Sequence, residues 1–303
     1  MLQLCHVHHK FDKNPVLKDV SLHVGLHEIV GLLGINGAGK SSLLKIAAGL
    51  LFPTAGQVII DGKTLSNEWK QVKACIGFVP DTPAFFNHLT VLENISAMAQ
   101  LRQIPKPAQA SRIESCLEKF NLQNVKHRLA DNLSKGFKQR LSFGLAVLNE
   151  PKIILLDEPM DGLDSEQIEW FADTIHELSK NCAIVLSSHR LTTLESFVNR
   201  TVILHEGKLV EPQTNDTHTF KAVYSQSIVN VLESMISSEN KAGWSMKTLS
   251  ENSLLFTWLN KSEPTLKDIN QLLNNLASNH YGLIEFRRQR NSIKEQFFST
   301  INR

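Results

Sequence analysis

The sequence predicts an α/β fold, a sheet with helices on its faces, followed by a small α+β appendage. Two observations carry this. Short apolar runs (HEIVGLLG at 27–34, CIGFVP at 75–80, IILLD at 153–157, AIVLSS at 183–188) alternate with stretches of helical spacing, the pattern of buried strands covered by helices. A polar, proline-containing segment, EPQTNDTHT at 211–219, reads as a linker, and the texture beyond it changes to SIVNVLESMIS, SLLFTWL, TLKDINQLLNNLA and IEFRRQ. The expected units are therefore 1–212 and 213–303, with a helical insert at about 82–150 in the first.

The elements follow in order. The first residues alternate through Leu2, Leu4, His6 and His8 and read as an edge strand. Residues 40–50 have helical spacing, and 56–65 is a hairpin about Asp61-Gly62. Thr90 with Glu93 makes a capping box ahead of a helix. Further helices are expected at about 108–120, 140–149 and 165–179. Thr192 with Glu195 caps a short one, and 201–211 turns back at Glu206-Gly207. Trp244 and Trp258 supply core for the appendage.

Bulk properties exclude some functions. Lys and Arg total 32 against 30 Asp and Glu, a net charge of +2, with no concentrated basic face of the kind nucleic-acid binders show. The four cysteines stand far apart without a CxxC and are expected to be reduced thiols. No apolar run is long enough to span a bilayer, and the polar start of the chain does not suit a signal peptide. A soluble chain is expected, with any membrane role through a partner. His6 and His8 share a strand face, but no third metal ligand accompanies them, so exposed histidines are the expected reading.

GINGAGKS at 34–41 fits G-x-x-x-x-G-K-[ST] between an expected strand and an expected helix, the context in which that motif cradles phosphate. Gly34, Ile35, Asn36, Gly37, Ala38, Gly39, Lys40, Ser41 and Ser42 are the candidate nucleotide-binding set. The glycines turn backbone N–H groups inward. Lys40 reaches the β- and γ-phosphates, and Ser41 places a hydroxyl on Mg²⁺. Asp157, closing an apolar strand, is placed to hold Mg²⁺ directly or through water, and Glu158 to orient or deprotonate the attacking water. His189 closes the next strand, near the γ-phosphate. A second anion-holding stretch, LSKGFKQR at 133–140, offers Ser134 and Gly136 at a helix start.

These motifs resemble the nucleotide-binding subunit of an ABC transporter, a P-loop NTPase with an antiparallel β subdomain and a helical subdomain. Five occur in the family's order over 1–212: GINGAGKS, IGFVPD, LSKGFKQR, IILLDEPMDGLD and the histidine of SSHR. The resemblance implies that Phe11 stacks on adenine, against the alternative of a core aromatic. It implies that two such subunits pair head to tail, so that Ser134 and Gly136 meet the γ-phosphate of ATP held by a partner, with Asp161–Asp164 along that interface. It further implies ATP hydrolysis with Mg²⁺, and a separate integral membrane permease on whose cytoplasmic face the chain sits.

Two departures qualify the likeness. Lys135 and Phe137 replace a glycine and a glutamine of the usual LSGGQ, and Asp81 stands where most of the family has a glutamine that touches Mg²⁺ and the attacking water. An Asp can still bind Mg²⁺. Acidic residues there, with LSKG-type signatures, are similar to subfamilies paired with ABC-2-type permeases, which implies export of drugs, lipids or ions or a part in metalloenzyme maturation, and IEFRRQRNSIKEQFF resembles their C-terminal extensions. Phe85 and Phe86 suit a docking surface for the permease, unless they pack within the helical insert. The competing function is a soluble ABC ATPase acting on nucleic acid or ribosomes. One ATPase domain, no long insertion between Asp81 and the signature, and no basic face count against it. A GTPase would need a guanine-reading NKxD, which is lacking.

Overall fold

Apolar strands that are buried on both faces must pair with each other, and they do so in a central six-stranded sheet. The computed structural model describes residues 1–189, 194, 197–210, 219–225, 244–250, 253–258, 264–278 and 283–289. Its strands β3 (Ile29–Leu33), β7 (Ile153–Leu156) and β8 (Ala183–Ser188) are buried throughout. They are joined by β6 (Ile76–Val79), β9 (Arg200–His205) and β10 (Lys208–Val210) in the order β10-β9-β3-β8-β7-β6. All pairs are parallel except β10 with β9. Parallel neighbours end at one edge of the sheet, so the segments after β3, β8, β7 and β6 emerge side by side, where such sheets bind ligands.

A second sheet, order β2-β1-β4-β5, is built from β1 (Leu2–Phe11), β2 (Asn14–Val24), β4 (Ala55–Ile60) and β5 (Lys63–Thr64). Here the expectation of an edge strand at the start of the chain is corrected. β1 is paired on both sides, antiparallel to β2 and to β4. Alternation reports a strand with one buried face; it is silent on whether both backbone edges are paired.

The α-helices fully within the described residues of the first unit are α1 (Lys40–Ala47), α2 (Trp69–Ala74), α3 (Val91–Leu101), α4 (Lys106–Lys119), α5 (Lys135–Val147) and α6 (Ser165–Ser179). The Thr90–Glu93 capping box forms, with Thr90 N–H donating to Glu93 Oε2 at 2.7 Å and Glu93 N–H to Thr90 Oγ1 at 3.2 Å. A second correction concerns α5, expected from 140. It begins at Lys135, because Ser134 caps it by accepting from Phe137 N–H at 3.4 Å. The second anion-holding stretch therefore forms the first turn of the helix itself.

The chain divides into two compact units, Met1–Pro212 and Gln213–Arg303. The second carries an antiparallel sheet, order β12-β13-β11-β14, of β11 (Thr219–Tyr224), β12 (Trp244–Ser250), β13 (Ser253–Trp258) and β14 (Leu283–Gln289), and among its described residues one helix, α7 (Leu266–Ser278). Trp244 and Trp258 sit opposite each other in the ladder, ring centroids 4.7 Å apart, and pack with Phe220, Tyr224, Phe256, Leu272 and Leu276. The Thr192 cap, the linker at 211–218, the segment 226–243 and the tail after 289 lie outside the described residues. Among the described residues no helix is long and apolar enough to cross a membrane.

Candidate active site

The phosphate-loop residues leave β3 and curl around their own lysine. Gly34 has to be glycine, because a Cβ there would lie 2.6 Å from the Leu204 carbonyl oxygen. Gly39 caps α1 with φ +103°, a left-handed conformation that side chains disfavour. Lys40 is 6% exposed, and its ammonium donates to the carbonyls of Gly34 at 2.9 Å and Ile35 at 3.3 Å. It also lies 3.3 Å from Glu158 Oε1.

β7 and β8 position the carboxylates. Asp157 is buried and its N–H donates to Val79 of β6 at 2.9 Å. The Ser187 hydroxyl donates to Asp157 Oδ1 at 2.8 Å and accepts from Glu158 N–H at 2.9 Å, so one β8 side chain holds both acidic residues. Sequence reasoning missed Ser187. The available signal was the pair of serines, Ser187 and Ser188, that ends the apolar run AIVLSS. Glu158 adopts φ +46°, a strained conformation for a residue with a side chain, costing about 1–3 kcal/mol, of a kind that gathers at functional sites. Its Oε2 accepts from His189 N–H at 3.2 Å and meets His189 Nδ1 at 2.9 Å. A ring protonated at Nδ1 donates to the carboxylate there.

Asp81 follows β6 on the same edge of the sheet. Its carboxyl is pushed above the usual carboxylate range by burial and then by the charges of Asp157, Glu158 and Asp161, while the Lys135 ammonium acts in the opposite sense. Lys135 reaches Asp161 Oδ2 at 3.7 Å, and the ammonium end of its side chain lies on Gly162. The charges of Asp157, Glu158 and Asp161 all act on Asp81. Among the described residues no three His, Cys, Asp or Glu side chains are grouped as a metal site, but the oxygen donors of Ser41, Asp81 and Asp157 suit Mg²⁺ better than a softer metal.

An open cleft of about 710 Å³ is lined by Phe11 and Val16, by the loop residues Asn36, Gly37, Gly39, Lys40, Ser41 and Ser42, and by Asp81, Glu158, Asp161 and His189. Phe11 is 51% exposed and stands edge-on to buried His9, centroids 4.7 Å apart, which supports its ring at the rim. Val16 was also missed by sequence reasoning. Gly34, Ala38 and Asp157 are buried and do not line the cleft. Ser134 and Gly136 do not line the cleft. They stand at the start of α5, where Gly136 is buried so tightly that a Cβ would lie 2.8 Å from Gln167 of α6. His6 and His8 both turn to Asp19, with His6 Nδ1 at 2.7 Å and His8 Nε2 at 3.9 Å from its Oδ1.

The geometry, a lysine cradled by a glycine loop beside oxygen donors for a cation and a held carboxylate, is that of nucleotide phosphate chemistry. The ABC transporter family model matches residues 17–161. The ABC-type transporter ATP-binding protein EcsA of Bacillus subtilis is 33% identical over 200 residues, 66% of this chain and 81% of that protein. The bacitracin transport ATP-binding protein BcrA of Enterococcus faecalis is 30% identical over 284 residues, 86% of this chain and 91% of that one. A solved dimeric ATP-binding cassette in a post-hydrolysis state, bound to ADP and Pi, matches with a TM-score of 0.64 at 27% identity, over 70% of this chain and 98% of the other. The chain is an ATP-hydrolysing P-loop cassette and belongs to the ATP-binding subunits of ABC transporters.

Proposed function

We propose that the chain is the motor of an exporter. It closes on ATP as a head-to-tail dimer, with a second copy or a related ATPase subunit, and so drives a separate integral membrane permease. The observation that carries this is the division of labour on one chain. Lys40, Glu158 and His189 face one cleft, while Ser134 and Gly136 stand on another element outside it. A second phosphate-holding helix start that does not reach its own cleft is suited to completing a partner's.

In this reading Lys40 exchanges Glu158 and its loop carbonyls for the β- and γ-phosphate oxygens of ATP, and Phe11 stacks on adenine. Gly34, Ile35, Asn36, Gly37, Ala38, Gly39 and Ser42 supply the remaining loop contacts. Ser41, Asp81 and Asp157 would hold Mg²⁺, whose chemistry is to neutralise charge on the β- and γ-phosphates. His189 and its backbone N–H fix Glu158 by Oε2. Oε1 is left to orient or deprotonate the water that attacks the γ-phosphate, releasing ADP and phosphate. Ser134 and the Gly136 backbone sense the partner's γ-phosphate, which exists only before hydrolysis, so closure follows ATP and opening follows its loss.

The permease dock is an apolar depression on the helical insert. Phe85 is half-buried and Phe86 is 49% exposed, and Met98 and Leu101 lie beside them. Buried Asn94 fixes the loop, accepting from Phe86 N–H at 2.8 Å and donating to the carbonyls of Phe86 at 2.9 Å and Leu89 at 3.2 Å. Export is supported by the bacitracin transport relative and by Asp81 with LSKG. The chain then works in the cytoplasm, on the inner face of the membrane, without nucleic acid. The test is to purify tagged Glu158→Gln with ATP from detergent-solubilised native membranes. A stoichiometric polytopic protein is expected, and recovery of ribosomes or nucleic acid instead would favour the soluble-ATPase reading.

A further inference from the structure

A band of exposed apolar side chains, with exposed Lys70 and half-buried Lys73 and Arg102, runs away from the Phe86 depression and has no part in the ATPase site. Leu101 closes that depression at the end of α3 and is 67% exposed. The next residue, Arg102, donates from Nη1 to the Lys73 carbonyl of α2 at 3.5 Å. Lys73 lies over the Trp69 ring at 5.3 Å and Lys70 at 5.8 Å. The Lys73 stem also reaches the turn after α1, since a Cβ on Gly49 would meet its Cε at 3.3 Å. That turn exposes Leu50 (58%) and Phe52 (77%).

α2 buries only Val72 and leaves Trp69 half in solvent. Exposed aromatic and aliphatic side chains gathered in this way mark an interaction surface. Its composition selects the partner. Cores of protein interfaces are depleted in lysine, whereas a tryptophan and a phenylalanine flanked by lysines are the side chains that settle at the headgroup level of a bilayer, ring inward and ammonium toward phosphate. Glu68, next to Trp69 in the chain, is engaged by Lys63 at 3.8 Å, and the basic groups of the band are Lys70, Lys73 and Arg102.

We propose that this band is a lipid-contact surface, which lays Leu50, Phe52 and Trp69 against an anionic bilayer and pairs Lys70 and Lys73 with lipid phosphates. Its orientation toward the bilayer rests on the reading of the Phe86 depression as the permease dock. The subunit would thereby grip the membrane beside its permease as well as through it. The interaction is weak and salt-sensitive, as suits a surface that must shift when the dimer closes.

The test uses the full chain and vesicles without any permease, so it is independent of the dock. The chain should sediment with vesicles of phosphatidylcholine and phosphatidylglycerol and not with phosphatidylcholine alone. Removing both charges in Lys70→Ala/Lys73→Ala should lower the partition coefficient about 30-fold. Phe52→Ser and Trp69→Ser should each weaken it, and Trp69 emission should shift to the blue on binding. All these variants should keep wild-type ATPase activity in solution, which controls for folding. Binding that ignores lipid charge, or that none of the substitutions alters, would overturn the proposal. So would self-association abolished by Phe52→Ser with no vesicle binding, which would make the occupant a second copy. Failure of Phe86→Asp to release the permease would remove the dock and leave the vesicle result standing.

Discussion

Lys40 and Glu158 answer to each other across 3.3 Å, so their substitution should separate binding from chemistry. Lys40→Ala removes charge-assisted bonds to phosphate worth about 1.5–3 kcal/mol each, so ATP affinity should fall at least tenfold in equilibrium binding. Glu158→Gln should bind ATP with wild-type affinity and lose at least about 100-fold in turnover. Ser187→Ala tests the residue that sequence reasoning missed. It strips a buried carboxylate of its donor and a backbone N–H of its acceptor, which should cost about 1–3 kcal/mol in denaturant unfolding and slow turnover more than it weakens binding. The loop glycines, Lys40, Asp157 and Glu158 were legible because phosphate chemistry restricts both residue type and spacing. Ser187 was not, because a serine's importance depends on which strand lies beside it, and only the fold sets β8 next to β7.

Elements were legible where a local signal fixes them. α6 spans Ser165–Ser179 as expected, with Asp164 accepting from Gln167 N–H at 2.9 Å at its start. β3, β7 and β8 announced themselves as unbroken apolar runs, since both their faces are covered. The start of α5 was hidden because Lys135, Gly136 and Lys138 look like loop residues, and β1's neighbours are set by β4, which returns from beyond α1. Two element-scale outcomes follow. Asn94→Ala should unfasten the Phe86 loop from α3, lowering stability by about 1–3 kcal/mol and weakening permease co-purification. Cys116 on α4 and Cys182 before β8 are buried, and burial pushes both thiols up to about 12 from 9.0. Neither should react with a thiol reagent at neutral pH until the chain unfolds. Above pH 9 the unfolded chain releases these protons and the native chain keeps them, so stability is full below that pH and declines as pH rises toward 12. Alkaline denaturation of Cys116→Ala should show less of this decline.

At the scale of the molecule, the two compact units suggest separate tasks. Residues 1–212 expressed alone should fold and bind ATP as the whole chain does, which circular dichroism and nucleotide titration would check. If each ATP is shared between two chains, complementation shows it most directly. Lys40→Ala spoils the phosphate loop and Ser134→Arg spoils the signature. Each variant alone should be inactive. Mixed, they form some dimers in which an intact loop from one chain meets an intact signature from the other. By random pairing the mixture should then recover about a quarter of wild-type ATPase activity. A mixture as inactive as either variant alone would show that loop and signature must belong to one chain, and would contradict the head-to-tail dimer.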